Sequence, residues 1–281
     1  MEKRSRPGYV FVLPWIIGFA VFTAYPLFNS LYFSFNSVSF AVGGIETEFI
    51  GAQNFREALS ADIDFIRQIG SFSIISVIAI PVIVISALVL ALLLNMPLRG
   101  RGFFRTIFFL PVIISSGPVI DRLMDMGATS LSNLSDYAFY TALTQNGTLF
   151  ANALLFILNS IIILLWFTGA QILVFLAGLQ KIDNQTIEAA RVDGASNWEI
   201  FWKITLPGLT ALILVNIIYT TVMFAQSSLN PVITHITRNM FDIHRGFGYS
   251  SALAWLYFLI ITLIMLALIG VFALFNKDRL A

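Results

Sequence analysis

The chain contains no cysteine. Disulfides, thiolate metal sites and thiol nucleophiles are therefore excluded. Histidine is nearly absent: His235 and His244 are too few for a histidine-rich metal site. Charge is scarce as well. Asp, Glu, Lys and Arg make up 11% of the 281 residues, against roughly 25% in a soluble domain. So few charges cannot cover a water-facing surface, so lipid must cover most of this one. The formal net charge of +1 provides no basic face for nucleic acid. The GxxxxGK[ST] loop that cradles nucleotide phosphates is missing, so the chain does not bind ATP by that route. No HExxH pair occurs either.

What the chain does have is apolar length. It is 58% hydrophobic with a mean hydropathy of +0.87. A bilayer span needs about 20 apolar residues. Six runs qualify, at 9–33, 70–94, 103–124, 149–180, 206–228 and 250–275. The basic start through Lys3, Arg4 and Arg6 leads into a run too long for a signal h-region, so no cleavable signal is expected. Pro14, Pro26, Pro81, Pro111 and Pro118 interrupt the runs. Membrane helices tolerate such breaks because neighbours re-satisfy the freed carbonyls; each proline reads as local packing or as a hinge.

Basic residues set the orientation. With the N-terminus inside, Lys3, Arg4, Arg6, Arg99, Arg101, Arg105, Lys181, Arg191, Lys203, Lys277 and Arg279 are cytoplasmic. Only Arg56, Arg67, Arg122, Arg238 and Arg245 are external. The expectation is an all-α membrane protein with six transmembrane helices and both termini in the cytoplasm. It divides into a first span with an external segment (1–69), a transmembrane domain (70–275) and a cytoplasmic tail (276–281). The external segments are 36–69, with a short helix at 54–59, then 125–148 and 229–249. The His235–His244 stretch reads as an external loop.

Between spans four and five lies a polar island, EAARVDGASNWEIFWKITLP, from Glu188 to Pro207. Two short helices are expected across 184–205. Asp183 or Asn184 can cap the first by accepting orphan backbone N–H groups. Gly194 ends it, because glycine tolerates the left-handed C-cap geometry. Ser196 and Glu199 have the spacing of a capping box for the second. The first helix lacks the basic face and bulky apolar face that resting on lipid requires. Its small, mildly acidic surface of Glu188, Ala189, Ala190, Asp193, Gly194 and Ala195 suits a protein groove instead.

The pattern E-A-A-x-x-x-G followed by I-x-L-P is carried by Glu188, Ala189, Ala190, Gly194, Ile204, Leu206 and Pro207. It resembles the cytoplasmic signature of ABC importer permeases. Segments 9–35, 49–59 and 99–115 extend the resemblance, which points to the first permease subunit of maltose-type carbohydrate importers. It implies a type I ABC importer fold, and a second related permease completing a heterodimer. It also implies a cytoplasmic ATPase dimer that holds ATP and Mg, and an extracellular or periplasmic solute-binding protein. The host would be a prokaryotic cell membrane and the cargo a sugar. This chain would need no cofactor of its own. It departs from the family pattern at Asp183, at Ile187 and across 117–140.

Polar groups inside spans tend to face the bundle interior or a water-filled path. Asn216, Thr220, Phe224 and Ser227 share one face of span five by their spacing, with Tyr219 on the neighbouring face. The resemblance adds Phe167, Ala170 and Gln171 of span four as cavity candidates. Aromatic rings beside hydroxyls and amides suit a sugar, whose C–H faces pack on rings. The same residues also suit helix–helix packing. Asp121, Arg122 and Asp125 read as a solvated rim ion pair or, less simply, a proton relay. An ion-coupled secondary transporter would need intramembrane charge and usually an internal repeat; the spans are nearly free of charge and no repeat is evident. A membrane enzyme would need a nucleophile–base pair or a metal cluster. A glycerol phosphate cargo would need a cation in the cavity.

Overall fold

The computed structural model describes residues 7–41, 44–96, 102, 149–227, 230–242 and 245–276. The expected third span, the departure at 117–140, the rim residues Asp121, Arg122 and Asp125, and His244 lie outside the described residues.

Helices dominate, in two compact units. In the first, α1 (Pro7–Phe19) runs through a π-helical turn (Ala20–Ala24) into α2 (Tyr25–Ser34). Strands β1 (Asn36–Ala41) and β2 (Gly44–Phe49) form an antiparallel hairpin with Asn36 opposite Phe49. The short α3 (Gln53–Ser60) follows. Its buried Asn54 amide donates to the Ser34 and Asn36 carbonyls at 3.0 and 3.1 Å, which pins the hairpin to α3.

Asp62 caps α4 (Ile63–Asn95) by accepting the Phe65 N–H at 3.0 Å. The helix thus starts seven residues before the expected span. Buried Phe65, Ile69 and Phe72 already form an inward stripe there. The stretch expected as an external loop contains a helix, α10 (Pro231–Met240), which precedes α11 (Gly246–Phe275). On α11, Trp255 donates to the Ser30 hydroxyl at 3.2 Å. Gly248 lies so close to β1 that an added Cβ would sit 2.1 Å from the Asn36 carbonyl oxygen.

The second unit holds the rest of α4, then α5 (Leu149–Leu179), α6 (Asn184–Val192) and α7 (Asn197–Ile200). A π-helical turn (Phe201–Thr205), α8 (Leu206–Gly208) and α9 (Thr210–Ala225) follow, and the end of α11 closes the unit. Its core packs Val84, Ala87, Ala91 and Leu94 against Ile172, Phe175, Leu176, Leu179, Leu209 and Ile217. Gly178 permits this approach: a Cβ there would lie 2.1 Å from the Leu212 side chain.

Among the described residues, three helical stretches are long and apolar enough to cross a membrane: Phe11–Ser34, Ile63–Asn95 and Gly246–Phe275. Two bent pairs bring the number to five if each is one span. These are Leu164–Leu179 with Asn184–Val192, bent by 65°, and Asn197–Gly208 with Thr210–Ala225, bent by 64°.

Candidate functional site

The polar island folds as a helix–turn–helix knob. Asp183 is the N-cap of α6, its carboxylate accepting the Gln185 N–H at 2.9 Å. The other expected cap, Asn184, is the first residue of the helix. At the far end the Gly194 N–H donates to Arg191 and the Ala195 N–H to Ala190, at 3.0 and 2.9 Å. These two bonds, with Gly194 at φ +85°, form a Schellman closure. The chain then turns directly into α7. There Glu199 accepts the Ser196 N–H at 3.0 Å, and the Glu199 N–H donates to the Ser196 hydroxyl at 3.3 Å. Both helix ends at the bend are therefore satisfied from within a few residues, which makes the knob a preformed object.

Its outer surface is uncovered by the described residues. Glu188, Ala189, Asp193 and Gly194 are exposed, and Ala190 and Ala195 half-buried. Val192 is 88% exposed, a large value for an apolar residue. Behind the bend, Trp198, Phe201 and Trp202 form an aromatic cluster with centroids 5.2 to 6.3 Å apart.

The second set of expected residues meets along the seam between α5 and α9. The Gln171 amide donates to the Thr220 hydroxyl at 2.9 Å, both side chains buried. One turn along, the Phe167 and Phe224 rings pack with centroids 5.3 Å apart. Asn216 is fully buried, and among the described residues neither its amide nitrogen nor its oxygen has a hydrogen-bond partner; the Gln171 oxygen also lacks one there. Nearby hydroxyls solve this problem locally: Thr221 donates to the Ile217 carbonyl and Thr168 to Leu165. The Asn216 amide makes no such bond, and leaving it unpaired costs about 1–3 kcal/mol. Ala170 and Ser227 are half-buried, and Tyr219 is 40% exposed on the adjoining face.

Sequence reasoning missed a third cluster, around Asp62. One carboxylate oxygen of this buried residue accepts from the Tyr249 hydroxyl at 2.8 Å, Arg245 Nη1 at 2.8 Å and His235 Nε2 at 2.9 Å. Burial pushes the carboxyl pKa up. The Phe65 N–H, then the His235 and Tyr249 hydrogen bonds and the His235 charge, more than offset it and hold the pKa at about 2. The ionised carboxylate can only accept, so His235 Nε2 carries the hydrogen. The one local signal was an aspartate just before an apolar run, the mark of a helix cap. Partners 173 to 187 residues away leave no such mark. No cluster of metal-ligating side chains occurs among the described residues.

With this geometry in hand, known proteins give a consistent picture. The chain is 29% identical to the probable ABC transporter permease protein YesP of Bacillus subtilis (strain 168), over 95% of this chain and 91% of that one. It is 31% identical to the lactose transport system permease protein LacF of Rhizobium radiobacter, over 76% of this chain and 71% of LacF. Its fold is similar to that in the crystal structure of a bacterial alginate ABC transporter complexed with an alginate pentasaccharide-bound periplasmic protein. The TM-score there is 0.65, with 21% identity over 92% of this chain and 91% of that one. Residues 58–279 match binding-protein-dependent transport system inner membrane components, and the chain belongs to that family of membrane-embedded, multi-pass transport proteins.

Proposed function

We propose that the chain is one permease half of an ATP-driven importer for a sugar or oligosaccharide. The observation that carries this reading is the preformed knob, exposed on its small face and closed at Gly194. It is a plug in search of a groove, and the chain has no nucleotide loop of its own. A cytoplasmic ATPase dimer, binding ATP and Mg, would take the plug. Closure of that dimer would push on α6 and α7, and the 65° and 64° bends would pass the push into α5 and α9. A second related permease would complete the cavity, and an extracellular or periplasmic solute-binding protein would deliver cargo to it.

On this reading the six-span arrangement holds, with both termini in the cytoplasm of a prokaryotic cell. The chain itself performs no hydrolysis and holds no cofactor. The cavity candidates are Phe167, Ala170, Gln171, Asn216, Tyr219, Thr220, Phe224 and Ser227. Rings beside amides and hydroxyls match the mixed chemistry of a sugar, and relatives named for lactose, multiple sugars and arabinooligosaccharides support the class. Relatives named for sn-glycerol-3-phosphate transport raise a second cargo. Against it, neither α5 nor α9 carries a lysine or arginine to meet a phosphate.

The test is reconstitution of the full complex in proteoliposomes with ATP inside and the solute-binding protein outside. Radiolabelled oligosaccharide should accumulate, and Thr220→Val or Phe224→Ala should alter uptake per assembled complex. Loss of assembly before any change in turnover would show those residues to be packing. ATP-dependent accumulation of glycerol phosphate but no sugar would refute the sugar reading.

A further inference from the structure

The Asp62 cluster joins three elements that the chain keeps far apart in sequence. Asp62 caps α4, His235 lies mid-way along α10, and Arg245 and Tyr249 flank the start of α11. All three side-chain donors converge on a single carboxylate oxygen, and the other oxygen is occupied by the Phe65 N–H. Supporting contacts close the surroundings. Arg245 also donates to the Asn239 side chain at 3.0 Å and reaches Glu57 of α3 at 3.5 Å, and its guanidinium lies 4.7 Å from the Tyr249 ring centre. Asn239 in turn donates to the His235 carbonyl at 2.9 Å. The Phe65 and His235 rings are 6.1 Å apart.

A helix cap needs one acceptor and one donor. Three further donors, brought from two other elements, exceed what capping α4 requires. Two of those elements, α4 and α11, are long enough to span a bilayer; the third is a ten-residue polar helix between α9 and α11. Besides the carboxylate, α10 meets α4 in this cluster through the Phe65–His235 ring packing, which slides, whereas charge-assisted hydrogen bonds are directional and strong.

We infer that Asp62 is a positioning residue that locks α10 to the adjoining ends of α4 and α11, so that the three move as one body when the transporter switches between its access states. This rests on the importer reading above. Removing the acceptor frees α10 to lag behind the spans. ATP hydrolysis continues, but fewer strokes deliver cargo.

The experiment uses the full reconstituted complex with its ATPase and solute-binding protein. Asp62→Asn keeps the size and the Phe65 bond but presents an N–H where three donors converge. Per assembled complex, sugar uptake turnover should fall about tenfold, with KM for cargo-loaded binding protein and ATPase rate both within twofold of wild type. His235→Gln, whose amide nitrogen can replace Nε2 as donor, should stay within twofold of wild type, and His235→Ala should fall with Asp62→Asn. Uptake within twofold of wild type in Asp62→Asn overturns the inference. So does a loss confined to the amount of complex assembled, at unchanged turnover, in Asp62→Asn, His235→Ala and Tyr249→Phe alike. Amide exchange separates this result from failure of the importer reading. Even where wild type carries no sugar, the α10 amides should exchange at least tenfold faster in Asp62→Asn than in wild type, and equal rates overturn the lock.

Discussion

Gly194 gives the sharpest test of the knob. Its φ of +85° lies in the left-handed region, and a Cβ built there meets no heavy atom within 4 Å. Two costs that usually travel together are therefore separate at this position. The conformational cost of a side chain is roughly 1–2 kcal/mol for an L-residue in that region. The steric cost against the described residues is nil, because none of their atoms is near. Gly194→Ala should lower the stability of the isolated permease by about 1 kcal/mol, and Gly194→Asn by less, since asparagine enters this region readily. Gly194→Trp should match Gly194→Ala in the isolated chain. The ATPase complex should behave differently: if the knob fills a groove, alanine and asparagine associate and transport, while tryptophan fails at both. The assay is thermal unfolding of the purified permease beside co-purification with the tagged ATPase and uptake in proteoliposomes. If Gly194→Trp keeps ATPase association and uptake at wild-type levels, the plug-in-groove picture is wrong. If Gly194→Ala unfolds the isolated chain, the bend is crowded and the separation of terms fails.

Other consequences follow from the same geometry. Ser196→Ala removes one arm of the capping box and should cost about 1 kcal/mol, seen as faster amide exchange in α7 with no change in α9. Gly248→Ala forces a Cβ against the fixed Asn36 carbonyl oxygen; overpacking of this kind costs about 1–3 kcal/mol, so thermal unfolding should come several degrees earlier, whereas Gly18→Ala, inside α1 and with no described atom within 4 Å of its Cβ, should not bring it earlier. The Asp62 carboxyl is held at about 2 against an ordinary 3.8. A depressed carboxylate stabilises the fold above its unfolded pKa, and that contribution, about 2 kcal/mol here, is lost as pH falls from 3.8 through 2. The unfolding-temperature gap between wild type and Asp62→Asn should therefore close as pH falls below about 4; a gap that persists unchanged through that window would mean that another group carries it.

Legibility in the sequence tracked how local the cause was. The knob could be read because its determinants lie within a few residues of one another: Asp183 to Gln185, Ala190 to Ala195, Ser196 to Glu199. The short helix expected at 54–59 lies within α3 for the same reason. The hairpin has a weaker local signal: Ser37, Val38 and Ser39 alternate ahead of a Gly-Gly pair, but the alternation covers only a few residues beside a long hydrophobic run. Hydropathy alone puts the start of α4 too late, because Asp64 and Arg67 lower it, whereas the helix follows its inward stripe of Phe65, Ile69 and Phe72. For α10 the difficulty was composition. Its ten residues mix threonine, histidine, arginine and asparagine, and only tertiary contacts to Val232, His235 and Asn239 reveal which face is inside.

By itself the sequence determined that this chain lives in a membrane, that it binds no nucleotide through a phosphate loop, and that it builds a capped knob between two apolar runs. Each of these depends on composition or on bonds between near neighbours, which any fold of the chain would keep. Only the tertiary structure decided that Gln171 meets Thr220 and Phe167 meets Phe224, and that Asn216 is buried with no hydrogen-bond partner among the described residues. It alone gathered donors from α10 and α11 onto one oxygen of Asp62. A carboxylate specifies how many donors it wants but not where along the chain they come from. That choice belongs to packing, which brings together residues more than 170 positions apart.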